Sequence, residues 1–309
     1  MYRLFLTTCL ALLVAGCGSP PAADDDSIRV VATTTMLADL ARTIGGDAIA
    51  VDGLMGAGVD PHMYKASEGD VLKMAEADLI LYNGLHLEGR MGEVLEQMSG
   101  RGTPTVALAD AAVPEASRLA SPTYTGSYDP HVWFDVQLWK RVAQQMSQVL
   151  VEVAPDSAAQ IEARAVAYID QLDDLDAYVR AQVARIPEAQ RVLITSHDAF
   201  GYFGAAYGFD VRGLQGLSTA TEAGTADVQN LATFVAEQQI PAMFVESSVS
   251  SRGIEAVQAA VRAKGFDVQV GGSLYSDALG SPGTLEGTYL GTIRHNIDTL
   301  VAALAPADA

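Results

Sequence analysis

What this 309-residue sequence has little of sets its first limits. It holds two cysteines, Cys9 and Cys17, both close to the N-terminus. The rest of the chain therefore has no disulfide and no thiolate metal site. Basic residues are scarce: 19 Lys and Arg stand against 38 Asp and Glu, a formal net charge of −19 at pH 7. Phosphate binding needs clustered cations, so nucleic acid is excluded as a partner. An acidic surface attracts cations weakly, and it serves equally well as a solubility device. The patterns H-E-x-x-H, G-x-S-x-G and the P-loop do not occur, which removes support for a zincin, a serine hydrolase or a phosphate-binding loop. The apolar run over residues 4–14 is too short to cross a bilayer as a permanent helix.

That run follows Arg3 and leads through Ala15 and Gly16 to Cys17, the layout of a secretory leader. Val14-Ala15-Gly16-Cys17 resembles the lipobox of bacterial lipoproteins, which implies that residues 1–17 are a lipoprotein signal segment in which Cys17 is lipidated and becomes the mature N-terminus. An ordinary leader that contains a cysteine is the alternative. Residues 18–27 are polar and contain proline, as a tether to such an anchor requires. The folded part is then expected outside the cytoplasmic membrane, in a periplasm or on the membrane's outer face.

With 49% hydrophobic residues, the remaining chain is long enough for two ordinary domains. Short β-branched runs alternate with amphipathic stretches, the grammar of strands and helices around parallel sheets. Strands are predicted at residues 28–33, 49–54, 79–83 and 105–108, with helices at 37–44, 69–77 and 91–98. A second set follows at 192–195, 209–214, 242–246 and 266–270. The expected fold class is α/β: two Rossmann-like lobes, residues 28–150 and 190–309. Between them Ile161, Ala165, Tyr168, Leu172, Leu175, Val179, Val183 and Ile186 recur in steps of three or four, the period of a helix. Asp156 or Ser157 would cap it and Pro187 would end it, giving roughly 45 Å at ~1.5 Å per residue. Such a helix suits a spine along both lobes; a crossover inside one large sheet is the alternative.

Only five histidines are present. Asp60-Pro61-His62 and Asp129-Pro130-His131 repeat a tripeptide, and His197 follows a strand-like run within Ser196-His197-Asp198. Proline fixes one dihedral and holds the preceding aspartate extended, so each loop presents its imidazole stiffly. In doubly wound sheets ligands gather beyond the carboxyl ends of strands, where His62 and His197 fall. Taken singly, each histidine is an ordinary satisfied polar group. Together, with two matching contexts, they bring metal ligation level with that reading.

The longer motifs are Gly58-Val59-Asp60-Pro61-His62, Asp129-Pro130-His131-Val132-Trp133-Phe134-Asp135, His197-Asp198-Ala199-Phe200-Gly201-Tyr202-Phe203 and Gly272-Ser273-Leu274-Tyr275-Ser276-Asp277-Ala278. On these the chain resembles the TroA-like metal-receptor family of manganese and zinc ABC importers, from about residue 28 to 304. The resemblance implies two lobes on a rigid backbone helix, with a metal in the cleft held by His62 and His131 from one lobe and His197 and Asp277 from the other. It also implies an ABC permease as partner, with the chain itself acting as a monomer and not as an enzyme.

Three imidazoles and one carboxylate suit a first-row divalent ion and suit calcium or magnesium badly. Zinc accepts the set tetrahedrally, and manganese becomes easier if Asp277 binds through both oxygens. Some family members carry glutamate where His197 stands, and many zinc-specific members carry a His-rich loop that residues 114–129 do not form. These departures pull in opposite directions, and Zn2+ and Mn2+ stay nearly equal candidates as the transported ion, with iron a distant third. Three ordinary imidazoles titrating near ~6.5 would make affinity fall between about pH 7.5 and 5.5.

Asp135, Asp198 and Glu246 are candidates to orient the ligand imidazoles, with a helix N-cap as the other reading for Asp198. His86 is expected to be structural and His295 to lie at the surface, while Trp133, Phe134, Phe200, Tyr202 and Phe203 are expected to keep the cleft walls dry. Two other functions stay open on residue types alone. One is a zinc hydrolase. The other is a surface adhesin, since some members of the resembled family were first described as adhesion lipoproteins.

Overall fold

The computed structural model describes residues 27–121 and 126–305; the expected lipobox and nearly all of the tether lie outside them. The chain opens with β1 (Ile28–Ala32), α1 (Thr35–Gly45), β2 (Ile49–Gly53), α2 (Glu68–Ala75), β3 (Leu79–Tyr82), α3 (Gly92–Gly100), β4 (Thr105–Ala107) and the short α4 (Leu108–Ala112). The strands form one parallel sheet in the order β2-β1-β3-β4. Helix starts follow local chemistry. Thr34 accepts the Leu37 N–H at the head of α1, and Ser67 and Asp70 form a reciprocal capping box on α2.

Two long helices follow, α5 (Val136–Val153) and α6 (Ala158–Val183). The predicted stripe on α6 is buried from Ile161 to Val183. The helix is shorter than its pattern suggested: residues Pro155–Ser157 form a 3-10 turn ahead of it, and Ser157 makes no side-chain cap. At 26 residues it is about 39 Å long.

The second half comprises β5 (Val192–His197), α7 (Gly201–Tyr207), β6 (Asp210–Gln215), α8 (Thr225–Glu237), β7 (Ala242–Glu246), α9 (Arg252–Ala263), β8 (Gln269–Leu274) and α10 (Tyr289–Leu304). β5 pairs with β6 and β7 with β8, all parallel, as two ribbons with β5 lying against β7. The spatial order β6-β5-β7-β8 thus repeats that of the first sheet. The last strand lies further along than residues 266–270. Gly271 and Gly272 break its hydrophobic pattern, yet both belong to it, and the ladder steps past Gly271 through an irregularity at Met243/Phe244. Gly272 has φ 146, and a Cβ there would come within 2.5 Å of Thr299 Cγ2, so only glycine fits.

Each sheet has its own outer core. Val31, Met74, Ile80 and Leu95 pack beneath α2 and α3, and Ile194, Val235, Met243 and Val257 pack beneath α8 and α9. The inner faces share a third cluster, in which Leu37 and Leu40 of α1, Trp139 of α5 and Leu172 of α6 join Tyr289, Ile293 and Leu300 of α10. The molecule is therefore two α/β lobes with parallel sheets, joined along α6. Their facing loops enclose the site described next.

Candidate metal centre

The two Asp-Pro-His tripeptides fold into the same local turn. Asp60 Oδ1 accepts the His62 N–H at 2.9 Å, and Asp129 Oδ1 accepts the His131 N–H at 2.9 Å. Each aspartate thus folds back on the backbone two residues ahead, as Asx turns do. His62 sits in the loop between β2 and α2, and His131 in the loop that enters the 3-10 turn Val132–Phe134 before α5. In the second lobe His197 is the last residue of β5, and Asp277 follows the end of β8. The Asp277 loop is tied down twice: the Tyr275 N–H donates to Asn296 Oδ1 at 2.9 Å, and Trp133 Nε1 donates to the Ser276 carbonyl at 3.0 Å.

These four side chains converge. His62 Nε2 lies 3.3 Å from His131 Nε2 and 3.8 Å from Asp277 Oδ2. His131 Nε2 is 3.5 Å from Asp277 Oδ1, and His197 Nε2 is 3.2 Å from Asp277 Oδ2. All four donor atoms fall within 4.8 Å of one another, the one such grouping of His, Cys, Asp and Glu among the described residues. Every member is buried, His62 being the most exposed at 5%. His197 Nε2 and both Asp277 oxygens are sealed from solvent without an aligned hydrogen bond. Buried polar atoms are normally paired, so donors left unpaired around one point mark a place for a cation.

Outer partners fix which nitrogen faces that point. Asp129 Oδ1 lies 2.7 Å from His131 Nδ1, and Glu246 Oε2 lies 2.5 Å from His197 Nδ1. A carboxylate only accepts, so each Nδ1 is the protonated nitrogen and Nε2 turns inward. Glu246 also takes the His197 N–H through Oε1 at 2.8 Å. Burial, with the neighbouring His131 and His197, holds the His62 imidazole down to about 3. Burial would lower His197 too, but the charges of Glu246 and Asp277, with the Glu246 hydrogen bond, outweigh it and leave this imidazole well above its ordinary value. Burial opposes ionisation of Asp277, yet the three surrounding histidines hold its carboxyl well below the usual range.

Glu246 stands where an orienting carboxylate was expected. Asp135 does not: it caps α5, accepting the Gln137 and Leu138 N–H groups at 2.8 and 3.3 Å. Nor does Asp198 fill either expected role. Helix α7 begins at Gly201 with Phe200 in the capping position, and no ligand imidazole is hydrogen-bonded to the Asp198 carboxylate. Burial and the nearby Asp129 charge raise it instead. The carboxylate missed by sequence reasoning is Asp129. Its signal was present in the repeated tripeptide, where the aspartate precedes the histidine by two residues. His86 lines a groove on the first lobe and His295 packs against Tyr275 at the surface, both apart from the cluster. The five flanking aromatics are buried, and Trp133 meets the His131 ring edge-on at 5.2 Å between centroids.

A buried four-donor cluster that could hold one metal ion between two lobes is what this geometry presents, and it suits the class of the metal-binding receptors. The chain belongs to the ZnuA family, zinc-uptake complex component A periplasmic, whose profile matches residues 30–303. Among its relatives, the zinc-binding protein TroA of Treponema pallidum (strain Nichols) is 49% identical over 93% of this chain and 92% of its own length. The manganese-binding lipoprotein MntA of Bacillus subtilis (strain 168) is 46% identical over 97% of both chains. The solved structure of the periplasmic zinc-binding protein TroA from Treponema pallidum superposes with a TM-score of 0.88, covering 91% of this chain and 100% of that one.

Proposed function

We propose that this protein is the substrate-binding receptor of a divalent-metal ABC importer, that it captures Zn2+ or Mn2+ between its lobes, and that it delivers the ion to a membrane permease. The observation that carries the reading is the convergence of two donors from each lobe, His62 and His131 with His197 and Asp277, on one buried point. The donor set fits a first-row divalent ion. Both Asp277 oxygens face the imidazoles, so the carboxylate offers one oxygen to a tetrahedral zinc or two to a manganese ion that prefers more ligands. Four protein donors at one point form a holding site, whereas a catalytic zinc keeps a position for water. The hydrolase and adhesin alternatives gain no support from the relatives.

In this reading the lobes are residues 28–150 and 190–309, with the chain monomeric and held outside the cytoplasmic membrane by lipid on Cys17. The test is metal analysis of protein purified without added metal, followed by competition for zinc and for manganese against a chromophoric chelator. One ion per chain is expected, with a melting temperature that rises with free metal concentration. Asp277→Ala should lose more affinity than the roughly 10–100-fold typical of losing an outer partner. Unchanged affinity in Asp277→Ala overturns the four-donor site.

A further inference from the structure

The two Asp-Pro-His turns are alike in backbone and differ in what the aspartate does with its remaining capacity. Asp129 spends it on its own histidine ring. Asp60 does not touch the His62 ring. Its Oδ2 reaches across the cleft and accepts the Thr219 hydroxyl, from the loop after β6 in the other lobe, at 2.5 Å. Thr219 is buried. The same loop of the first lobe passes close to the second at Gly58, where φ is 71 and a Cβ would stand 3.4 Å from the Ser247 carbonyl oxygen.

His62 is the donor with the least support. His131 has Asp129 and His197 has Glu246 on Nδ1, while the Asp277 loop is tied to Trp133 and Asn296. Among the described residues no carboxylate is hydrogen-bonded to the His62 ring, and His62 is also the most exposed of the four. Its position is set through its backbone N–H, which Asp60 Oδ1 holds at 2.9 Å. One carboxylate therefore grips a ligand of the first lobe with one oxygen and the second lobe with the other.

We propose that Thr219 is a positioning residue for metal retention: acting through Asp60, it seats His62 only while the lobes are closed, so that parting the lobes releases this ligand first. The inference rests on the metal-receptor reading above. No atom of Thr219 contacts the ion, and its effect falls on the rate of metal release.

The experiment loads full-length protein with one equivalent of zinc and follows transfer to excess chelator by stopped flow. Loss of one hydrogen bond to a charged acceptor predicts that Thr219→Val, which keeps the shape and removes the hydroxyl, releases zinc roughly tenfold faster. Thr219→Ser keeps the hydroxyl and should release at the wild-type rate, and Thr219→Ala repeats the loss by a second route. In an Asp60→Ala background Thr219→Val should add no further acceleration, because the pair acts as one unit. A purely structural role for Thr219 would accelerate release in both backgrounds. A wild-type rate in Thr219→Val, or additive effects with Asp60→Ala, overturns the proposal. Wild-type protein that takes up no zinc in this assay overturns the metal-receptor reading itself, an outcome distinct from both.

Discussion

The two lobes repeat one strand order and reach the same site by different means. The first lobe builds its donors locally: each histidine is set by an aspartate two residues earlier, with proline between. The second builds them through tertiary contact. His197 is fixed by Glu246, which is 49 residues away at the end of the neighbouring β7, and Asp277 is steadied by Asn296 on α10 and by Trp133 of the opposite lobe. The His131 turn, closed on itself by Asp129, is set within the first lobe alone, whereas the His62 turn also leans on Thr219 of the second. His197 needs its own lobe folded, and the Asp277 loop, tied to Trp133, needs the two lobes in contact as well.

The strongest way to break this contrast is to remove the outer carboxylates one at a time. Glu246→Gln and Asp129→Asn should each cost 10–100-fold in zinc affinity. Each carboxylate holds both the ring and the backbone N–H of its histidine, but Glu246→Gln should cost more, because Glu246 does so from another strand, whereas the turn before His131 keeps its proline. Equal losses, measured by chelator competition, would dissolve the distinction between local and tertiary support.

The next effect is on pH. The sequence suggested three ordinary imidazoles, but the folded site splits them. His62, held down to about 3, is neutral wherever the protein is folded and gives protons little purchase. His197, raised above its ordinary value by the Glu246 and Asp277 charges, keeps its second proton to higher pH than a free imidazole. Binding should therefore release a proton from His197, and affinity should fall as pH is lowered. Glu246→Gln, which removes the charge that holds that proton, should flatten the slope in isothermal titration at several pH values. For metal-free protein the two groups act in opposite directions. Below its ordinary value of 6.5, His62 takes up a proton only on unfolding, so its contribution to stability falls as pH drops from about 6.5 towards 3. His197 contributes stability below 6.5 that is lost as pH rises through its raised value.

The smallest effect belongs to Trp133→Phe. The ring contact with His131 survives, while the hydrogen bond to the Ser276 carbonyl is lost. A net cost near ~1 kcal/mol, a few-fold in affinity, is expected by the same competition assay.

Local chemistry was legible in the sequence, and tertiary chemistry much less so. The Asp-Pro-His repeat announced two donors, and the β-branched runs placed seven strands within a few residues of where they lie. The eighth was displaced because Gly271 and Gly272 look like strand breakers until Thr299 is seen packed where the Gly272 side chain would be. Asp135 and Asp198 were attractive because they lie within the ligand motifs, but neighbours in sequence point where the helix start and the strand end direct them. Asp277 has no local signature at all. It was reached through resemblance, and its companions in space lie 80 to 215 residues earlier in the chain.

The cluster of apolar side chains common to both lobes bears on how the protein is made. Helix α1, formed from the first residues of the fold, packs on α10, formed from the last, and Asp39 accepts the Tyr289 N–H across 250 residues of sequence. Neither half closes its inner face alone. Contacts of such separation form late, because the loop they close is long. A chain made N-terminus first must wait, with its inner face uncovered, for its final helix to arrive. Only then do the loops of the two halves meet and the four-donor cluster take shape, so the site arises in one step with the completed fold.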